Sequence, residues 1–206
     1  MMKLLRNILI VSAMAMPMTL LTGTAASAEP GRFMEMNTVV KAPIGHRQFC
    51  RDNAWACPTE SYDPVVVRLD EARWQELIAI NAEVNRRVRP MTDEDLFGEP
   101  ERWTYPVEDY GDCEEYVLEK QRVLVEAGWP RSALLITVAK DVKNSGHAVL
   151  TVRTDHGDVI LDNQIEAVLP WYSTPYRYIK RQSASSTVIW TGISDTRVTT
   201  VSSVSR

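Results

Sequence analysis

Between residues 113 and 162 the chain spells one broad-faced helix followed directly by three short strands, and that order leaves few folds open. Tyr116, Val117, Leu118, Val123, Leu124 and Ala127 give a segment from about 113 to 127 apolar faces wide enough for a buried helix. Gly128 suits the position just past its end, and Pro130 prevents continuation. Strands follow at 133–139, 147–153 and 158–162, the last two joined by Thr154-Asp155-His156-Gly157 as a tight hairpin. A helix beside consecutive hairpin-linked strands predicts an α+β fold with the helix packed on an antiparallel sheet.

The first 28 residues read as a signal peptide. Lys3 and Arg6 form a basic start, the run from Ile8 to Leu21 is mostly apolar, and Ala26-Ser27-Ala28 is a small-residue cleavage site. The apolar run is short for a membrane span, so no span is expected after its removal. Cleavage leaves about 178 residues, enough for a single domain at 29–206 with a sizeable core. It also leaves 21 basic against 27 acidic residues, a net charge of −6 that does not suggest nucleic acid as a partner.

Export places the chain in an oxidising compartment. Cys50 and Cys57, in a segment at 29–63 that reads as irregular, are then expected as a disulfide. Two free thiols, or a metal pair with His46, are the alternatives. Cys113 is left over, and an odd cysteine in an exported protein is either paired between chains or kept free for chemistry.

Residues 70–88 read as an amphipathic helix, with Trp74, Leu77, Ile78, Val84 and Val88 near one stripe, Asp70 as cap and Pro90 as terminator. Residues 91–110 are polar and read as a long surface loop, in which Trp103 and Tyr105 pack as a lid over the core in preference to forming a substrate platform. Further strands are expected at 172–181 and 187–193, and the Ser- and Thr-rich last ten residues read as frayed.

Three residues in this frame carry nucleophile chemistry. Cys113 falls in the first turn of its helix, where free amides and the positive end of the dipole favour a thiolate and can hold an oxyanion. Gly111, just before, allows an unusual turn and a close approach of substrate. A hairpin centred on Asp155-His156 pairs Arg153 with Asp158, so Val149 faces Asp162 and His147 lies diagonally on the same face. Diagonal neighbours are within reach of an imidazole and a carboxylate. A three-residue turn would shift the register and send Asp162 to the other face. Val149 and Ile160 make the His147 face apolar enough to be covered, and the cysteine helix is the expected cover. His46 and His156 read as surface residues.

At these residues the chain resembles the bacterial transglutaminase-like cysteine proteinases. Gly111-Asp112-Cys113-Glu114-Glu115-Tyr116, then His147-Ala148-Val149-Leu150, then Leu161-Asp162-Asn163 stand in the family's order and spacing. Phe49-Cys50, Cys57, Asn81 and Asn85 add to the likeness, which covers about 49–178. The resemblance implies a papain-like, transglutaminase-type fold with Cys113 as nucleophile, His147 as base and Asp162 as orienter. It implies a periplasmic protease that clips a large surface adhesin, releases cells from biofilms and answers to an inhibitory membrane receptor. It also implies calcium held by Asp112 and Glu114, to which Glu115 adds a further carboxylate; the alternative is that these acids serve only the helix dipole. The same three residues suit amine transfer or amidase chemistry, and a calcium-responsive binding module is the non-enzymatic alternative.

Overall fold

The computed structural model describes residues 31–197. The leader expected at 1–28 and nearly all of the Ser- and Thr-rich tail lie outside the described residues. Along the described chain run β1 (Met36–Val40), α1 (Ile44–Asp52), α2 (Glu71–Arg87), β2 (Arg89–Pro90), α3 (Asp93–Phe97), β3 (Tyr110–Gly111) and α4 (Cys113–Glu126). They are followed by β4 (Leu134–Lys140), β5 (Gly146–Thr154), β6 (Gly157–Leu161), β7 (Leu169–Pro170), β8 (Arg177–Ser183) and β9 (Ser186–Ile193). Seven strands make one antiparallel sheet in the order β1-β9-β8-β4-β5-β6-β7, and β2 with β3 forms a short parallel pair.

The α+β reading holds. The helix expected at 70–88 is α2, with the Asp70 carboxylate accepting from the Arg73 amide at 2.9 Å. α4 ends at Glu126, and Gly128 takes φ 87°, a left-handed turn that glycine adopts without cost. Its apolar residues Val117, Leu118 and Leu124 pack with Leu134, Ile136, Ala148, Leu150 and Val152 of the sheet.

That packing corrects one expectation. α4 covers the face made by Ala148, Leu150 and Val152, not the face of Val149 and Ile160. The second face is covered by aromatic residues of the later chain, Trp171, Tyr176 and Tyr178. Both faces are apolar, so a central strand buried on both sides gives alternation nothing to choose between.

Three further expectations change. The segment at 29–63 is not irregular: β1 closes the sheet edge on β9, and α1 is tied by a Cys50–Cys57 disulfide with Cα atoms 5.4 Å apart. The loop at 91–110 contains α3, capped by Thr92 and carrying Asp93, Glu94 and Asp95 in its first turn, where the dipole favours acids. The strand expected at 172–181 starts only at Arg177, because Trp171–Ser173 is a 3₁₀ turn and Pro175 follows it. The lid reading holds for Trp103, which is buried in the core, while half-buried Tyr105 stacks on exposed Trp55 at 5.6 Å.

Under the second face lies an ion pair. Arg181 Nη1 donates to Asp158 Oδ2 at 2.7 Å, and the Met34 amide donates to the same oxygen at 2.9 Å, with both charged side chains buried. Asp158→Ala strands a buried guanidinium, so it is expected to destabilise the fold by about 3–5 kcal/mol, read as a lower urea midpoint.

Candidate active site

The hairpin register decides where the acid and base of the site meet. Arg153 pairs with Asp158 and Thr154 with Gly157, so the turn is Asp155-His156 alone. Leu150 pairs with Leu161, and one step further Asp162 comes opposite Val149. His147 Nε2 donates to Asp162 Oδ1 at 2.8 Å, with both side chains buried. An ionised carboxylate only accepts, so this bond puts the proton on Nε2 and leaves Nδ1 with its lone pair.

Asp162 is held from several sides. The Tyr176 hydroxyl donates to Oδ2, and the Gln164 amide donates to Oδ1 at 3.1 Å. Asn85 Nδ2 donates to the Asp162 backbone carbonyl at 2.8 Å. Burial works to raise the Asp162 carboxyl, but the bonds from His147, Tyr176 and Gln164 outweigh it and hold it below its usual range. The Gln164 side chain also places Nε2 at 3.3 Å from His147 Nδ1.

Cys113 opens α4. Asp112 is the N-cap, its carboxylate accepting from the Glu114 amide at 3.4 Å, and Glu115 reaches back to the Asp112 amide at 2.8 Å to close a capping box. This fold-back explains Gly111. A Cβ there would sit 2.4 Å from the Glu115 Cβ, so the close approach expected of a substrate is made by the capping glutamate instead.

The Cys113 thiol donates to Glu114 Oε2 at 2.9 Å. The backbone amide of Ala148, the residue after His147, also bears on the sulfur and favours its thiolate. That amide places the start of β5 against the sulfur, and the hydrogen-bond partner of the thiol here is the Glu114 carboxylate. Burial, then the Glu114 charge and hydrogen bond, then Asp112, push the thiol well above its ordinary range. The helix dipole alone predicted the opposite, and burial, with the adjacent carboxylates, overrules it.

Around this turn gathers a carboxylate cluster. Ligand oxygens of Asp93, Asp112 and Glu115 lie within 4.8 Å of one another, and Asp112 and Glu114 form a second close group with the Cys113 sulfur. Burial, then the charge of Asp112, pushes Glu115 up to about 9. Burial, then the hydrogen bond and charge of Asp112, pushes Glu114 well up, and burial followed by the charge of Asp112 raises Asp93 as well. Asp93 Oδ1 is buried with no partner. A set of crowded hard oxygens with an unused buried lone pair fits a divalent cation such as calcium. Both Glu115 oxygens are already engaged, by the amides of Asp112 and Thr104, which leaves Asp93, Asp112 and Glu114 as the freer donors.

His46 is not a surface residue. It is buried between Trp103 and Trp190, with ring centroids at 5.6 and 5.2 Å, and burial pushes it down to about 4. The disulfide removes the metal-pair alternative for Cys50 and Cys57. His156 is exposed at the turn, 2.9 Å from Asp155, and takes no part in the site. Sequence reasoning missed Asp93, Gln164 and Tyr176. Gln164 follows Asp162 by two positions and was open to suspicion; nothing local marks the other two.

Comparison with known proteins bears on this arrangement. Residues 36–198 match the sequence pattern of the bacterial transglutaminase-like cysteine proteinases. No curated protein sequence matches the chain at significance. Among solved structures, calcium-bound Legionella pneumophila LapG is similar at 26% identity, with 68% of this chain and 77% of that chain covered and a TM-score of 0.50. Another Legionella pneumophila LapG structure is 28% identical over 57% of this chain and 68% of that chain, with a TM-score of 0.49. EGTA-treated LapG of the same organism is 26% identical over 62% of this chain and 74% of that chain, also with a TM-score of 0.49. A match over residues 36–198, most of the sequence, shows that the chain is a cysteine peptidase and belongs to the bacterial transglutaminase-like cysteine proteinases.

Proposed function

We propose that this peptidase is exported as a single domain behind a cleaved leader and hydrolyses a peptide bond of a large surface adhesin, through Cys113, His147 and Asp162. The observation that supports it most is the buried 2.8 Å bond from His147 Nε2 to Asp162, which frees Nδ1 to take a proton. His147 Nδ1 removes the thiol proton as Cys113 Sγ bonds to the scissile carbonyl carbon. The carbonyl electrons move to oxygen, and amides of the α4 N-terminus stabilise that charge. When the C–N bond breaks, the imidazolium returns its proton to the leaving amine. Water, deprotonated by the same nitrogen, then attacks the thioester and frees the acid and the thiol. Asp162 keeps the imidazole in its tautomer and offsets its transient charge.

Calcium is the proposed cofactor, held by Asp112 and Glu114 with Asp93 supplying the buried free oxygen. When bound it supplies the positive charge that lets these crowded carboxylates stay ionised together. Glu114 would then be drawn toward the cation, weakening its hold on the thiol. Periplasmic placement and control by an inhibitory membrane receptor complete the reading; they rest on the family likeness. Among the described residues no helix is long and apolar enough to cross a membrane.

The test is incubation of the mature protein with calcium, a free amine and the N-terminal part of a surface adhesin, followed by intact-mass measurement. Two fragments whose masses sum to the substrate plus one water are expected. Substrate that gains the amine in place of water would replace hydrolysis by transglutamination, and unchanged substrate held by the protein would leave only a binding module.

A further inference from the structure

Behind Asp162, between α2 and α4, lies a buried polar group that the proposed chemistry does not use. Asn81 and Asn85 stand one turn apart on α2. Asn85 Nδ2 donates to the Asp162 carbonyl at 2.8 Å, and Asn81 Nδ2 donates to the Glu166 carbonyl at 2.9 Å. Backbone carbonyls only accept, so each amide nitrogen must face the loop and each Oδ1 must face away from it. Both Oδ1 atoms are buried and have no partner. On α4, which packs against α2, Lys120 is fully buried and its Nζ has no partner either. That nitrogen lies 5.8 Å from the Tyr116 ring and within the field of the Asp162 carboxylate.

The unmet groups are complementary. Two acceptors lack a donor, and one nitrogen with several protons lacks an acceptor. Buried polar atoms in folded proteins are almost always paired. Lys120 Nζ stands by the Tyr116 ring, which packs against Val84 and Val88 of α2, and faces the Asp162 carboxylate whose backbone Asn85 holds, so one buried water joining it to the amide oxygens closes the account. We propose that Lys120 is a positioning residue, bridging to the side-chain carbonyls of Asn81 and Asn85 and thereby fixing the loop that carries Asp162. Burial pushes the Lys120 amine down to about 7, against the opposing pull of Asp162, which fits a nitrogen held in a dry polar pocket. A solvated lysine on this face would have no reason to be enclosed.

The inference rests on Asp162 as the orienter, and its test separates the two ideas. The readouts are the His147 Nε2–H resonance in ¹⁵N-labelled protein, which reports the bond to Asp162 with or without turnover, and kcat against KM on the adhesin fragment. Lys120→Met removes the donors at similar length. It is expected to shift or broaden that resonance and to lower kcat on the order of 10-fold to 100-fold with KM unchanged, the signature of lost orientation. Lys120→Gln keeps a neutral donor and is expected to recover part of both; it also stands in should Lys120→Met fail to fold. An unmoved resonance with wild-type kcat in folded Lys120→Met overturns the proposal. A resonance that moves in a protein whose wild type hydrolyses nothing supports the bridge and sinks the peptidase assignment of the triad.

Discussion

Asp162→Asn is expected to lower kcat/KM on the adhesin fragment by about 10³–10⁴-fold, more than its single-atom change suggests. The reason is tautomer control. The Asp162 carboxylate only accepts, so His147 carries its proton on Nε2, and in the proposed mechanism Nδ1 is the base. An asparagine amide presents an N–H donor to Nε2 as readily as an oxygen. The imidazole then moves its proton to Nδ1, the atom that must accept from Cys113. Asp162→Ala removes the orienter without imposing the wrong tautomer and should be milder. It carries a structural cost of about 1–3 kcal/mol, because the Tyr176 hydroxyl and the His147 ring lose their buried acceptor. Cys113→Ala and His147→Ala remove a reacting atom and should cost the most, about 10⁴-fold or more, each leaving what substrate binding alone contributes. Stopped time courses with enzyme in excess and thermal melts of all four variants check this. Full activity in folded Asp162→Asn would remove Asp162 from the mechanism.

The ranking rests on a register that the sequence made conditional on the length of one turn. A two-residue turn at Asp155-His156 puts His147 and Asp162 together, a three-residue turn would part them, and the structure has the two-residue turn. The end of α4 was legible from Gly128 and Pro130, while the Asp112 cap at its start shows only in the structure. What failed did so for physical reasons. The face that α4 covers was ambiguous because β5 is apolar on both sides. Burial of His46 depends on Trp103 and Trp190, which arrive from 57 and 144 positions away and leave no local mark. Asp93 hid in an acidic run whose composition reads as solvated, although its carboxyl is turned inward against the Arg102 amide. Gly111 was legible as a glycine with a purpose, but the purpose is the Glu115 fold-back. The reactivity of Cys113 was the hardest to read, since a helix N-terminus pulls the thiol one way while burial and two neighbouring acids pull it the other, and only the folded structure shows the burial.

Those opposing pulls make Glu114→Gln the second informative variant. The Glu114 carboxylate accepts from the thiol at 2.9 Å, and its charge adds to burial in disfavouring the thiolate. Below a thiol pKa the thiolate fraction falls tenfold for each pH unit, so an upward shift slows alkylation by iodoacetamide at neutral pH and moves the rise of its rate to higher pH. Glu114→Gln removes the charge and replaces an acceptor of the thiol proton by a donor to the thiolate. Cys113 in the chelated variant is therefore expected to react faster near neutral pH than in chelated wild type, with the rise of its rate moved to lower pH. Calcium should accelerate the wild type, since Glu114 is then committed to the cation, and should leave the variant nearly unchanged. Proteolysis should move the other way, because the variant loses a ligand and with it the order of the helix start. Mass mapping of Cys113 across pH, with and without calcium, reads all of this in one series. Equal alkylation rates for the two chelated proteins would mean that Glu114 does not restrain the thiol, and a wild-type rate indifferent to calcium would sink the cation site while leaving the triad standing.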